Sequence, residues 1–293
     1  MKKGKYILNK LLDFILIAGG IIILWVICEV FFWASFSVPS ASMQPAILPG
    51  ERIIVWKPWM GARIFDVFAS LAGNQPEIHR MPGFRTPRHN DVLVFNNPYF
   101  NGWNKIEMHI RRYYVKRCIA LPGDTLRIEN GYYRIPGFDG LIGNLSGQKK
   151  VSDEPETSLK ERHVWAAYPR DSLLNWNIKN FGPLLILAKG TEIGMNRTNY
   201  LLYRTLIEWE SGNILRLDTL DGNYYLNDSL LLTYCSRRNY YFMGGDQVED
   251  SQDSRYWGLV PEEYIAGKAW FVWKSVDLDT NKFRWKRILK KIE

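Results

Sequence analysis

The residues that could carry out chemistry begin with serines that have no histidine partner. Ser40 and Ser42 stand in the stretch VPSASMQP, whereas the four histidines are scattered and none lies near a serine in a useful context. A serine hydroxyl becomes an effective nucleophile only when a base removes its proton. An uncharged lysine is the alternative base. The chemistry to look for is therefore acyl transfer by a serine with a neutral lysine.

Lys116 is the lysine whose surroundings suit that role. It lies in YYVKRCIALPG, an apolar stretch with the pattern of a strand. Lysine ordinarily titrates near pH ~10.4, and burial against apolar neighbours lowers its pKa. Ser42 and Lys116 are 74 residues apart, so only tertiary structure can bring them together.

A third segment, GGDQVEDSQDSRYWGLVP at 244–261, combines serine, carboxylates and arginine. Together the three segments resemble the boxes of the bacterial type I signal peptidases, or leader peptidases: P-S-x-S-M-x-P-T-L, Y-x-K-R-x-x-G-x-P-G-D and G-D-N-x-x-x-S-x-D-S-R-x-W-G. The strand-like NDVLVF at 90–95 resembles the remaining box of that family. The resemblance covers the apolar N-terminus and about 37–60, 88–128 and 240–274.

The resemblance implies a role for each matching residue. Ser42 would be the nucleophile and Lys116 the general base, and the Ser40 hydroxyl would form the oxyanion hole with the Ser42 backbone N–H. Loss of one such donor typically costs about 10²–10³ in rate. Ser251 matches the serine that orients the lysine. A supporting charge network would consist of Asp253, Arg255 and Arg117. The resemblance implies no cofactor and no metal ion.

The same resemblance predicts the substrate and its pockets. The family cuts preproteins after small residues, in an A-x-A-like pattern at the end of a signal peptide. Shallow pockets that admit only small side chains would be lined by Phe36, Val38, Met43 and Val115, with Pro39 and Tyr114 as weaker candidates.

Two departures from the family pattern bear on substrate preference and leave every proposed catalytic group in place. Ala46-Ile47 stands where Thr-Leu is usual, and residues 247–250 read QVED where NRDN is usual.

The residues alone leave other interpretations open. The two serines could be turn residues between prolines, Lys116 could lie on a solvated face, and Asp246–Asp253 could be an acidic or calcium-binding loop. A sister Ser/Lys protease that processes pilin or conjugation proteins would have the same chemistry. An inactive membrane-anchored scaffold would keep the motifs as relics.

A β-lactamase-like site is a further alternative that the sequence rejects. Ser146-Gly-Gln-Lys149 matches S-x-x-K, but no K-T-G follows and no S-D-N occurs.

Composition limits the class of protein. The 293 residues are 46% hydrophobic and 23% charged, which excludes disorder and collagen-like repeats. Three cysteines cannot make a disulfide framework, and the scattered histidines argue against a structural zinc site. The net charge of +8 is compatible with nucleic acid or with an anionic membrane surface.

An apolar run near the N-terminus decides between these partners. Phe14–Phe36 contains one charge, Glu29, over 23 residues. As a helix it would be roughly 34 Å long, enough for a bilayer core. A cleaved signal peptide is the alternative, but its apolar region is normally shorter.

The flanking charges predict the orientation of that span. Lysines at 2, 3, 5 and 10 precede it, and residues 37–50 contain no lysine or arginine. The positive-inside rule then predicts a single-pass protein of the cytoplasmic (inner) membrane with its N-terminus inside. The catalytic domain would lie outside, in the periplasm, so we expect membrane lipid and no nucleic acid as partners.

The elements that must position these residues are mainly strands. β-branched and aromatic runs at 52–56, 91–97, 125–135, 213–220 and 269–273 alternate with turn residues. We therefore predict a single N-terminal transmembrane helix followed by an all-β extracytoplasmic protease domain with an inserted β subdomain.

The predicted organisation has five parts. Residues 1–36 are the cytoplasmic N-terminus and transmembrane anchor, 37–128 the first part of the catalytic core, 129–237 the inserted β subdomain, 238–281 the second part of the core and 282–293 a basic amphipathic tail. The tail resembles an interfacial amphipathic helix, with an ordinary solvated terminal helix as the alternative.

Overall fold

The computed structural model of the chain describes residues 2–71 and 75–293. Met1 of the predicted anchor and residues 72–74 of the predicted core lie outside the described residues. The strands are β1 (Trp33–Val38), β2 (Glu51–Trp56), β3 (Arg63–Ile64), β4 (His79–Arg80), β5 (Val92–Asn96), β6 (Tyr113–Ala120), β7 (Thr125–Glu129), β8 (Tyr132–Arg134), β9 (Phe181–Leu185), β10 (Glu192–Gly194), β11 (Leu215–Leu217), β12 (Tyr224–Leu226), β13 (Ser229–Leu230), β14 (Thr233–Cys235), β15 (Tyr240–Gly244), β16 (Val260–Pro261) and β17 (Ile265–Ser275). The α-helices are α1 (Lys2–Phe31), α2 (Val67–Leu71), α3 (Leu145–Asp153), α4 (Glu156–Glu161), α5 (Arg197–Ser211) and α6 (Ser254–Trp257). Short 3₁₀ helices lie at Val248–Asp250, Glu262–Tyr264 and Trp285–Arg287.

Helix α1 is long and apolar enough to cross a membrane over Asn9–Phe31. The prediction that the span continues to Phe36 is wrong, because Trp33–Val38 forms β1 in full antiparallel register with β2. Lys57 ends the helix by donating from Nζ to the carbonyl oxygens of Glu29, at 2.6 Å, and Val30, at 3.2 Å. Such carbonyls have no partner inside a helix, so the lysine fixes where the helix gives way to the sheet.

The largest sheet that the described residues form is antiparallel and has seven strands, in the order β1-β2-β17-β5-β6-β15-β16. One apolar cluster joins it to the segment after β1, including Val38, Met43 and Ile47. A larger cluster joins it to the chain between β7 and β14. The prediction of a mainly β fold is confirmed.

The inserted region is mixed rather than all β, which corrects the prediction of an inserted β subdomain. Two of its hairpins turn at Asn130-Gly131 and Asp221-Gly222, dipeptides typical of tight turns, but α3, α4 and α5 lie between them. Helix α5 buries Leu202, Tyr203, Leu206 and Ile207 along one face. The Asn196 side chain caps its start and Gly212, at φ 70°, ends it.

The tail is not an amphipathic helix, and that prediction is wrong. Only Trp285–Arg287 is helical, as a single 3₁₀ turn. The backbone beyond it runs beside β17, with Leu289 N donating to Val272 O at 2.7 Å and Ile292 N to Trp270 O at 2.9 Å. The backbone groups of β17 beyond Lys268 can bind the tail on this side, because β5 pairs only with Ile265–Lys268 of β17. Pairing with a free strand edge therefore overrides the helical pattern of the sequence.

Candidate active site

Lys116 lies near the middle of β6 with only 4% of its surface exposed. Its Nζ donates to Ser42 Oγ at 2.6 Å and to Ser251 Oγ at 3.0 Å. Burial lowers the pKa of Lys116 to about 8, even though the carboxylate of Asp253 acts in the opposite direction. The lysine is thus neutral for a useful fraction of the time near neutral pH and touches one candidate nucleophile.

The loop between β1 and β2 holds Ser42 in place. Gly50 N donates to Val38 O at 2.9 Å and closes the loop. The φ of Gly50 is 83°, which a side chain rarely adopts. Inside the loop, Met43 and Ile47 are fully buried anchors on either side of a turn. Gln247 N donates to Ser42 O at 3.0 Å, so the segment before Ser251 also holds the backbone of Ser42.

Ser40 lies beside the nucleophile, with the two hydroxyl oxygens 3.4 Å apart. Ser40 is exposed to the cleft. Within residues 2–71 and 75–293, the Ser42 backbone N–H has no hydrogen-bond acceptor. An oxyanion hole requires hydrogen-bond donors at such a place, beside the hydroxyl that attacks.

Ser251 reaches the lysine because a glycine leaves room for it. A Cβ on Gly245 would lie 2.0 Å from Ser251 Oγ and 2.7 Å from Ser42 O. Only glycine therefore allows this segment to approach both serines. Sequence reasoning missed the role of Gly245, although the doubled glycine at 244–245 pointed to a close approach of the backbone.

Asp253 and Arg255 support Ser251 and do not touch the nucleophile or the base. Both are fully buried, and they form a two-point ion pair through Nε and Nη2. Asp253 also accepts from Gly245 N at 2.9 Å, and Arg255 donates to Ser251 O at 3.3 Å. Burial alone would raise the pKa of Asp253, but the guanidinium of Arg255 outweighs it and holds that pKa below its usual range. Removing one partner of a buried, hydrogen-bonded ion pair costs about 3–5 kcal/mol of stability.

Arg117 points away from Lys116, because neighbouring side chains of a strand face opposite sides. It makes a second buried ion pair with Asp246, both bonds being 2.6 Å long. It supports the fold next to the site rather than the dyad itself. Asp246 and Asp253 are each paired with an arginine. Two of the carboxylates that a calcium-binding loop would use are therefore already bound within the protein.

The QVED departure links the third segment to the inserted region. Lys150 Nζ on α3 pairs with Glu249 Oε1 at 2.6 Å, and Arg162 donates to Glu249 O at 2.9 Å. Helix α3 approaches closely here, since a Cβ on Gly147 would lie 2.5 Å from Asp246 O. The insert therefore packs against the segment that carries Ser251.

The dyad opens into a cleft of about 450 Å³. Five of the six predicted pocket residues line it together with Ser40, Ser42 and Lys116: Val38, Pro39, Met43, Tyr114 and Val115. Phe36 does not. It lines a neighbouring cleft and packs on Tyr113, with ring centroids 4.7 Å apart. Sequence reasoning missed five further lining residues: Ser37, Ala41, Tyr113, Asp250 and Gln252.

Among the residues that the structure describes, two strand edges at this cleft have no partner strand. There, β1 pairs with β2 on one side only, and Tyr113–Lys116 of β6 pairs with β5 only, because β15 meets β6 from Arg117 onward. Unpaired strand edges bind an extended peptide by main-chain hydrogen bonds. The cleft thus suits a peptide backbone as ligand.

Comparison with known proteins identifies the family. The model of the family described as "Signal peptidase, peptidase S26" matches residues 9–182 and 204–274. This chain belongs to the signal peptidase family. Signal peptidase I of Haemophilus influenzae is 42% identical over 280 residues, covering 90% of this chain and 70% of that protein. Signal peptidase I of Buchnera aphidicola subsp. Acyrthosiphon pisum is 28% identical over 287 residues, covering 96% and 80%.

Membership of the signal peptidases makes the chain a serine endopeptidase, and α1 makes it membrane-anchored. A third relative, signal peptidase I of Helicobacter pylori J99, is 26% identical over 301 residues and is covered to 90% of its length. The prediction of a type I signal peptidase from the three boxes is confirmed.

Proposed function

We propose that this signal peptidase removes signal peptides after small residues by a Ser42 nucleophile and a Lys116 general base. The observation that carries the proposal is the 2.6 Å contact between Lys116 Nζ and Ser42 Oγ, made by a lysine that is almost entirely buried. This contact also supports an active enzyme over an inactive scaffold.

In the proposed mechanism the substrate binds extended between β1 and the free edge of β6. Neutral Lys116 takes the proton of Ser42 as Oγ attacks the scissile carbonyl carbon. The oxygen of that carbonyl gains the negative charge and accepts from Ser42 N–H and the Ser40 hydroxyl. The resulting ammonium of Lys116 gives its proton to the leaving amine, and an acyl-enzyme remains. Lys116 then activates water to hydrolyse the ester.

Small cleavage-site residues fit the lining of this cleft. Met43 and Val38 line the cleft beside Ser42, and both are buried in the packed core. Large side chains would need these core residues to move, which costs about 1–3 kcal/mol in a packed interior.

A cleavage assay tests the proposal. Full-length protein in detergent is mixed with a preprotein whose signal peptide ends in A-x-A, and the mature N-terminus is sequenced. We expect wild type and Ser146→Ala to cleave after the second alanine, and Ser42→Ala to leave the preprotein intact. Cleavage by Ser42→Ala would contradict the nucleophile. A wild type that leaves this preprotein intact but cuts pilin-type precursors would favour the sister protease.

We propose that the N-terminus is cytoplasmic and the catalytic domain lies outside the cytoplasmic membrane. The lysines at 2, 3, 5 and 10, in the first turns of α1, and the absence of lysine and arginine from 37–50 support this orientation. Cys235 is exposed on the catalytic domain. We expect a membrane-impermeant maleimide to label Cys235 in spheroplasts without lysis. Labelling that requires lysis would reverse the orientation.

We also propose that lipid contacts one face of the domain. Exposed apolar side chains continue from the end of α1 across the sheet to the tail: Trp33, Trp270, Trp273, Phe283, Trp285 and Leu289. Tryptophan favours the membrane–water interface. We expect Trp270→Ser with Trp285→Ser to slow cleavage in vesicles and not in detergent, whereas Leu220→Ser, exposed in the insert, changes neither. Equal rates in vesicles would contradict this contact.

A further inference from the structure

The tail contacts both halves of the active site, although the family match ends at residue 274. Ile292 is buried in the same apolar cluster as Met43, the residue after the nucleophile. The backbone of the tail is fixed beside β17 by four hydrogen bonds, including Val272 N to Lys290 O at 2.9 Å and Arg284 N to Ser275 O at 3.0 Å. The basic residues of this segment therefore have fixed positions, and two of them point inward.

Arg287 is one of these and binds the loop that carries Ser42. Its Nε and Nη2 donate to the two carboxylate oxygens of Glu51, at 2.7 and 2.8 Å, and Nη2 also donates to Ala46 O at 2.8 Å. Glu51 is fully buried and also accepts from Leu48 N and Ser275 Oγ. Burial alone would raise the pKa of Glu51, but these donors, led by Arg287, keep that pKa below its usual range.

Arg284 adds a second contact to the same loop. Its Nη2 donates to Pro49 O and, at 2.7 Å, to Val276 O. The two arginines thus hold main-chain oxygens at both ends of the turn that follows the nucleophile. A guanidinium suits this task because its fork of donors is rigid, which a lysine ammonium cannot reproduce.

The end of the tail contacts the strand that carries the base. Arg117 donates from Nη2 to the backbone oxygen of Glu293 at 2.9 Å while it pairs with Asp246. Arg117 follows Lys116 directly, and Asp246 follows Gly245. The tail therefore spans from the nucleophile loop to the lysine strand, the two parts whose separation sets the 2.6 Å contact of the dyad.

We propose that residues 284–293 are a positioning strap for the dyad, with Arg287 as its central positioning residue. The inference rests on the proposed function, because it concerns the geometry between Ser42 and Lys116. The Arg287 side chain hydrogen-bonds Glu51 and Ala46, which are neither the reacting groups nor residues that line the cleft. Its loss should therefore slow the chemical step and leave substrate binding unchanged. A misplacement of about 1 Å between reacting groups can cost on the order of 10²-fold in rate.

The test compares Arg287→Met, Arg287→Lys and the neighbouring Lys286→Met in full-length protein in detergent. Lys286 is exposed and gives a matched loss of one positive charge. Thermal unfolding first establishes the folded fraction, and kcat and KM are then measured on a peptide that spans an A-x-A site. We expect Arg287→Met to lower kcat by about 10- to 100-fold with KM within about twofold.

The remaining two variants make the result specific. Arg287→Lys keeps the charge beside Glu51 but loses the contact with Ala46 O, so we expect a smaller loss of kcat, about threefold to tenfold. If Arg287→Met does not fold, the kcat of Arg287→Lys is the measurement that tests the strap. Lys286→Met should match wild type.

The outcomes separate the strap from the function on which it rests. An active wild type whose two Arg287 variants keep their kcat would overturn the strap alone. A rise in KM with kcat unchanged, or an equal loss in Lys286→Met, would overturn it as well. A wild type that does not cleave and retains its fold would overturn the proposed function and the strap together.

Discussion

Two serine–lysine pairs in this chain differ in almost every physical respect. Ser42 and Lys116 are 74 residues apart in sequence and 2.6 Å apart in space, inside a cleft. Ser146 and Lys149 match a catalytic motif in sequence but lie on α3, where Lys149 is exposed and bonds to Asp153 at 2.7 Å. Burial lowers the pKa of Lys116 to about 8, whereas the hydrogen bond that Lys149 donates to the Asp153 carboxylate raises the pKa of Lys149.

The difference shows that a serine and a lysine make a catalytic pair only when the fold desolvates the lysine. A charged lysine on a helix surface has no lone pair with which to accept a proton. Burying a lysine destabilises the folded state. Of these two lysines, Lys116 is the one that the sheet buries, at the cleft. The following predictions test whether burial, close approach and orientation each separate the two pairs.

The largest expected effect is the loss of the base. Lys116→Met keeps the length of the side chain and removes the amine, so we expect kcat/KM on an A-x-A peptide to fall at least about 10³-fold. Lys149→Met should leave kcat/KM unchanged, since that amine already bonds to a carboxylate. Equal losses in the two variants would remove the distinction between the pairs.

A smaller loss should follow from filling the space beside Ser251. In Gly245→Ala the new methyl group would lie 2.0 Å from Ser251 Oγ, so the segment must shift away from the dyad. We expect kcat to fall about 10²-fold. Gly194→Ala, where a Cβ would meet nothing within 4 Å, is the control for the substitution itself. Wild-type kcat in Gly245→Ala would show that the close approach is dispensable.

The smallest expected effect concerns orientation of the lysine. Ser251→Ala removes the 3.0 Å bond to Lys116 Nζ and leaves the contact with Ser42 in place. We expect kcat to fall about tenfold, the equivalent of one modest hydrogen bond. The matched control is Ser146→Ala in the S-x-x-K segment. If kcat of the Ser251 variant equals that of the control, Ser251 does not orient the base.

The sequence predicts the dyad and the strands of the core for definite reasons. Runs such as Val92–Asn96 are rich in β-branched and aromatic residues, and this one forms a strand that is buried along its whole length. Lys116 stands out because a charged residue lies in an apolar strand. These are local properties, so the printed chain is enough to find them.

Other elements could not be predicted, because a distant partner decides them. The apolar run after Phe31 pairs with β2 instead of extending the helix. The tail has a helical pattern but meets the unpaired edge of β17. Helix α5 is rich in tyrosine, tryptophan and threonine, which are indifferent helix formers, yet its caps at Asn196 and Gly212 were visible in the sequence. Phe36 lines the neighbouring cleft because the Tyr113 ring, which packs on it, lies between Phe36 and the cleft of Ser42 and Lys116.

The pH dependence of kcat/KM tests the central claim most directly, which is that neutral Lys116 activates Ser42. The reactive form is the deprotonated lysine, with a pKa of about 8. Below that pH the rate should rise tenfold per unit, and above it the rate should level off while the enzyme stays folded. A rate that peaks near pH 5 and falls through pH 8 would contradict the account, since it would require a protonated group to do the work assigned to Lys116.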